Sequence, residues 1–133
     1  MADPDAIPGW NDLVAWFGRA PDFHDAEVLS LALRRLPAPS LLRVHTWLTG
    51  PGVDAAGYLV HDRPVIVRFV LASISRLELS EWSPQNVLLG LTIAADEPGW
   101  RIQLDPSYGL GGSIVAGSLQ IELEPISGAE TDG

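Results

Sequence analysis

The chain has 133 residues, 47% of them apolar and 19% charged, enough for one domain with its own core and too hydrophobic for wholesale disorder. It contains no cysteine, which excludes disulfides, thiolate metal sites and cysteine nucleophiles. Seventeen acids against eight bases give a formal charge of −9, which disfavours a phosphate backbone as partner. No apolar run approaches the ~20 residues of a membrane span, and the acidic opening MADPDAIPGW is unlike a signal peptide, so no membrane partner and a cytoplasmic location are expected.

In chain order, residues 1–9 and 127–133 read as frayed ends of a single domain spanning 1–133. Asn11 or Asp12 is placed to cap a short helix carrying Leu13, Trp16 and Phe17 on one face, with Gly18 to stop it and Pro21 to bar its continuation. The segment from Asp22 to Leu36 supports two periods. As a helix it aligns Ala26, Leu29, Leu33 and Leu36; as a strand it sets Leu29, Leu31 and Leu33 against Ser30, Ala32 and Arg34. Local propensity favours helix, but the β-like sequence downstream favours a strand that can find a partner.

Beyond it the period of two is plain. Leu42, Val44, Thr46 and Leu48 alternate with Leu41, Arg43, His45 and Trp47 until Gly50-Pro51-Gly52 breaks the strand. Val65, Val67 and Phe69 share a face, as do Leu77 and Leu79, with Ala72-Ser73 the natural place for a bulge or bend between them. Ser80–Gln85 reads as a turn. Val87, Leu89, Leu91 and Ile93 alternate next, then Glu97-Pro98-Gly99 turns the chain into Trp100, Ile102 and Leu104. After a glycine-rich turn at Tyr108–Gly112, Leu119, Ile121 and Leu123 face inward and Gln120, Glu122 and Glu124 outward. The expected fold is mainly β (α+β): an antiparallel meander of about six strands, a curled sheet or sandwich, with one short N-terminal helix.

Few motifs carry chemistry. His24-Asp25 and His61-Asp62 lack the spread of helical ligands that a metal phosphohydrolase needs. Neighbours on an extended chain also point to opposite faces, which weakens a metal site from His24, Asp25, Glu27 and His45. In a structural reading, Asp25 bonds backbone N–H groups of its own turn and His24 bridges helix and sheet. There is no GxSxG elbow, and the glycines at 109–112 have no lysine to complete a phosphate loop, because all eight bases are arginine. No catalytic residue, metal ligand or cofactor is therefore assigned.

Charge and aromatics point to a partner instead. From Leu77 onward nine acids stand against one base, Arg101, which suits a basic partner. Glu78, Glu81, Asp96, Glu97 and Glu122 are surface candidates by charge and direction. Of the five tryptophans, Trp16 and Trp100 fall on inward faces, whereas Trp82, in a turn beside Pro84, is the best candidate for an exposed anchor.

Trp16-Phe17-Gly18, then Pro21 and Phe23-His24-Asp25-Ala26-Glu27-Val28, followed much later by Gln85-Asn86 and Tyr108-Gly109…Gly112, resemble the immunity protein 50 family of bacterial polymorphic-toxin systems. The likeness spans most of the chain; Ala20 and Asp22 depart from the family's pattern. The resemblance implies a non-enzymatic protein that binds and neutralises a cognate toxin, with Trp16, Phe17, Gly18, Pro21, Phe23, His24, Asp25 and Glu27 as structural motif residues. It also favours the strand reading of residues 26–35. Two other classes compete: a small enzyme or ligand-binding β-domain using the His24-Asp25-Glu27 turn, and an assembly domain that dimerises with itself through a sheet edge.

Overall fold

A computed structural model describes residues 4–53 and 59–126. A helix, α1 (Trp10–Phe17), precedes six strands: β1 (Glu27–Ala32), β2 (Ser40–Val53), β3 (Leu59–Ser80), β4 (Val87–Asp96), β5 (Gly99–Tyr108) and β6 (Gly111–Glu124). The strands pair antiparallel in the order β1-β2-β3-β6-β5-β4 and close into a barrel. The expected mainly antiparallel β fold with one short helix is the one present, with its curl carried to closure rather than to a sandwich.

The single meander expected is interrupted once, between β3 and β4. β3 has 22 residues and needs a long partner for its backbone groups. β6 provides it, in register from Ile66↔Glu124 to Ser80↔Gly111; β4, with ten residues, is too short. The second half of the chain therefore returns as its own meander, β4–β5–β6, and closes on β1 through Glu27↔Val87.

Alternation holds where strands are regular. Leu42, Val44 and Thr46 of β2, Val65, Val67 and Phe69 of β3, and Ile102 and Leu104 of β5 are all buried, and each such leucine stabilises the fold by roughly 2 kcal/mol. It fails where a strand carries an extra residue. In β1, Val28 pairs with Val44 but Ser30 with Arg43, so Leu29 is bulged out and Leu31, not Leu29, follows Val28 inward; Leu33 ends up exposed. In β4, shifts on both sides of Leu88 bury Leu88 and Leu91 and leave Leu89 exposed, against the alternation expected from Val87. In β3 the face changes between Leu71 and Ile74. Ser73 adopts a left-handed φ of 57 there, at the bend expected for Ala72-Ser73, and a bulge follows between Ile74 and Arg76. Gly50-Pro51-Gly52 does not end β2: the strand runs to Val53 through a register irregularity between Thr49 and Val53, because a bulge admits a proline that a regular ladder would not.

At the N-terminus, Gly9, rather than Asn11 or Asp12, precedes α1. It takes a left-handed φ of 91 without any side-chain cap, and a Cβ there would overlap the Ile121 carbonyl. Gly18 ends the helix as expected, left-handed, its N–H donating to the Val14 carbonyl at 2.7 Å. Residues 1–9, expected to fray, are instead packed onto the barrel from Pro4 onward. Ile7 is buried and the Pro8 carbonyl accepts the Ile121 N–H at 2.8 Å, so this segment occupies the β6 edge that β5 leaves free beyond Trp100↔Ala116. Leu13 and Phe17 then join Phe69 and Ile121 in one core, with Trp10, Trp16 and Trp100 packed against it. Residues 127–133, also expected to fray, lie outside the described residues.

Candidate functional site

The Phe23–Glu27 turn closes the barrel seam. Phe23 and Asp25 hold left-handed φ angles of 62 and 64. The turn is fastened to β4 by hydrogen bonds from Asp25 N–H to Leu88 carbonyl (2.9 Å), Leu88 N–H to Ala26 carbonyl (2.8 Å) and Leu91 N–H to Asp22 carbonyl (3.2 Å). Phe23 is buried with its ring centroid 5.9 Å from that of Phe69. Asp22, rather than the expected Asp25, supports the turn through its side chain, its Oδ1 accepting the His24 N–H at 2.9 Å. His24 bridges nothing: its Nδ1 lies 3.3 Å from the Asp25 Oδ2, and both side chains are more than half exposed. Glu27 stands opposite His45 in the β1–β2 register, yet among the described residues no three His, Asp or Glu side chains are grouped so as to hold a metal ion. The motif residues thus carry the fold: Phe17 and Phe23 fill the core, Gly18 stops α1, and Pro21 leads into the turn.

The acidic candidates do not form one surface. Asp96 and Glu97 sit at the β4–β5 turn, about 30 Å along β4 from Val87 at ~3.3 Å per residue. Asp96 is engaged by Arg101 at 3.6 Å. Glu122 lies 3.6 Å from Arg68 and accepts from Gln120 Nε2 at 3.3 Å, while its neighbour Glu124 takes Arg43 in a two-pronged pair. These residues form a cross-strand charge ladder over β2, β3 and β6, which contributes to the fold before it serves any partner. Glu78 and Glu81 are exposed and make no ion pair among the described residues.

Trp82 is exposed, as its place beside Pro84 predicts. Its side chain is 55% exposed, beside Leu33 at 51% and Leu77 at 41%, and with Leu31, Leu79 and Leu110 it lines an open apolar cleft of about 480 Å³. A second opening of about 420 Å³ adjoins it across Glu81 and is lined by Tyr108, Pro106 and Ser83. Glu81 itself holds a left-handed φ of 68, a conformation that a non-glycine residue keeps only when its surroundings impose it.

Asn86 fixes the Trp82 loop, a role that sequence reasoning missed. Its side chain is buried. Oδ1 accepts the N–H groups of Ser83 (3.0 Å) and Leu110 (2.8 Å), and Nδ2 donates to the Ser83 carbonyl (2.8 Å). One amide therefore ties the Trp82 turn to the glycine turn at 109–112. The available signal was its place in the Gln85-Asn86 pair of the resemblance. The result is an apolar recess with Glu81 at its edge, next to a loop clamped by one buried amide.

Comparison with protein-family models, with curated proteins and with solved structures returns no match for this chain. No helix among the described residues is long and apolar enough to cross a membrane.

Proposed function

We propose that this protein acts by stoichiometric, non-catalytic binding of another protein, and that it is an immunity protein for a cognate toxin domain, as its resemblance implies. The observation that carries the reading is the half-exposed Trp82, seated between Leu33 and Leu77 in an open cleft. Exposing such residues is unfavourable for a lone protein and gains binding energy when a partner covers them. The net charge of −9 supports a basic partner, drawn in by long-range attraction that salt weakens.

The test is a kinetic titration against the product of the adjacent gene, which this reading expects to carry a toxin domain. A one-to-one complex is expected, with an association rate that falls several-fold between low and physiological salt and a dissociation rate raised by Trp82→Ala. Absence of binding overturns the reading; a salt-independent association rate removes the electrostatic part of it alone.

A further inference from the structure

Several stretches of strand edge among the described residues have no strand partner, those of β1 and β4 beyond Glu27↔Val87 included, and the chain covers some of them with its own segments. The β6 edge beyond Ala116 is taken by the Pro8–Gly9 segment and α1. On β3, pairing with β2 stops at Ser40↔Leu71, while pairing with β6 on the opposite side continues to Ser80. Residues 72–80 of β3 thus keep one edge that no strand among the described residues occupies, nine residues bent at Ser73 and bulged between Ile74 and Arg76.

That edge forms one side of a groove. The other side is the β1–β2 connection, which lines the apolar cleft through Leu31 and Leu33 and a polar recess of about 320 Å³ through Arg34, Arg35 and Leu36, facing Leu71, Ser73 and Ile74. The connection is held in its own fold rather than on β3: the Arg34 N–H donates to Ser40 Oγ at 2.9 Å and the Ala38 N–H to the Arg35 carbonyl at 3.1 Å. The groove is also polar along its length. Arg34 and Arg35, which make no ion pair among the described residues, stand at the Leu71 end; Glu81 stands at the Trp82 end.

We infer that this groove receives an extended segment of the partner protein, which adds antiparallel to the β3 edge at residues 72–80. The inference rests on the protein-binding reading above and names how the partner is recognised. Free main-chain groups of β3 supply sequence-independent hydrogen bonds, and the Trp82 cleft takes alternate apolar side chains. Antiparallel addition places the start of the incoming strand at Glu81 and its end at Arg34 and Arg35. The segment therefore reads, from its N-terminus, a basic residue, an alternating apolar stretch, and an acidic residue. A segment of a basic partner suits the site better than a second copy of this chain, because two copies each carrying a net charge of −9 repel one another.

The test is selection of random twelve-residue peptides, displayed on phage, against the full chain, followed by amide hydrogen exchange with a selected synthetic peptide. The expected result is a basic–apolar–acidic pattern, slowed exchange within residues 72–80, and at least tenfold weaker binding when alternate peptide nitrogens are methylated. Charge exchange at the ends is expected to act in register: Glu81→Lys favours peptides with an acidic first residue. Selected peptides that leave 72–80 unprotected, or that tolerate methylation, overturn the inference. So does concentration-dependent self-association with protection at 72–80, which would make a second copy the occupant. If the toxin domain binds but 72–80 stays unprotected, strand addition fails while the binding reading stands; peptide addition without toxin binding is the converse.

Discussion

Asn86→Ala is expected to loosen the Trp82 end of the barrel more than any surface change nearby. The substitution removes three hydrogen bonds, two of them accepted from the backbone N–H groups of Ser83 and Leu110 and one donated to the Ser83 carbonyl. The Leu110 bond is buried, so that N–H is left without water as well as without its partner. A made hydrogen bond contributes about 1 kcal/mol and a buried orphaned donor costs about 1–3 kcal/mol, which sets the loss at roughly 3–4 kcal/mol. For a domain of this size that is a fall in Tm on the order of 10 °C. Urea unfolding gives the free energy, and amide exchange at Leu110 reports the local opening. Ser83→Ala, which removes an exposed hydroxyl bonded only to Gln85, is the control and should cost less than about 1 kcal/mol. A loss under 1 kcal/mol for Asn86→Ala, or unchanged exchange at Leu110, refutes the reasoning that one buried amide clamps the two turns.

Gly9→Ala is expected to destabilise by more than Gly18→Ala: both glycines are left-handed, but a Cβ at 9 overlaps the Ile121 carbonyl whereas one at 18 meets open space, so the second costs only the ~1 kcal/mol of the backbone conformation, as thermal melts would show. Asp25→Gly relieves a left-handed φ and removes an exposed carboxylate, and should be neutral or stabilising by up to ~1 kcal/mol in the same assay; a large loss would mean that the Asp25 side chain matters. A double-mutant cycle on Arg43 and Glu124, each about a quarter exposed, should give a coupling of about 1 kcal/mol that declines in salt. Trp82→Ala should keep cooperative unfolding while weakening partner binding by about 2 kcal/mol, some thirtyfold, measured by calorimetry.

The alternation of β2 and β5 was legible because those strands are regular over Leu42–Thr46 and Trp100–Leu104, so period two and burial coincide. The α1 stop at Gly18 and the turn at Glu97-Pro98-Gly99 were legible for the same local reason. Leu29 and Leu89 were misplaced because a bulge changes which face a side chain takes without changing composition. Gly9 was missed because its requirement comes from Ile121, more than a hundred residues away, and the β3–β6 pairing because strand length, not proximity in sequence, chose the partner. Of the site, exposure of Trp82 followed from its place beside Pro84. The ladder that occupies Glu122 and Glu124 did not, since it depends on β2, β3 and β6 lying side by side.

The central claim, that this protein protects by covering a partner with its Trp82 end, is tested most directly in cells that express the toxin domain expected from the adjacent gene. Survival should be restored by the wild-type chain and by His24→Ala, and lost with Leu77→Asp at unchanged melting temperature and expression. Protection that survives Leu77→Asp but disappears with His24→Ala would contradict the claim and move the active surface to the turn before β1.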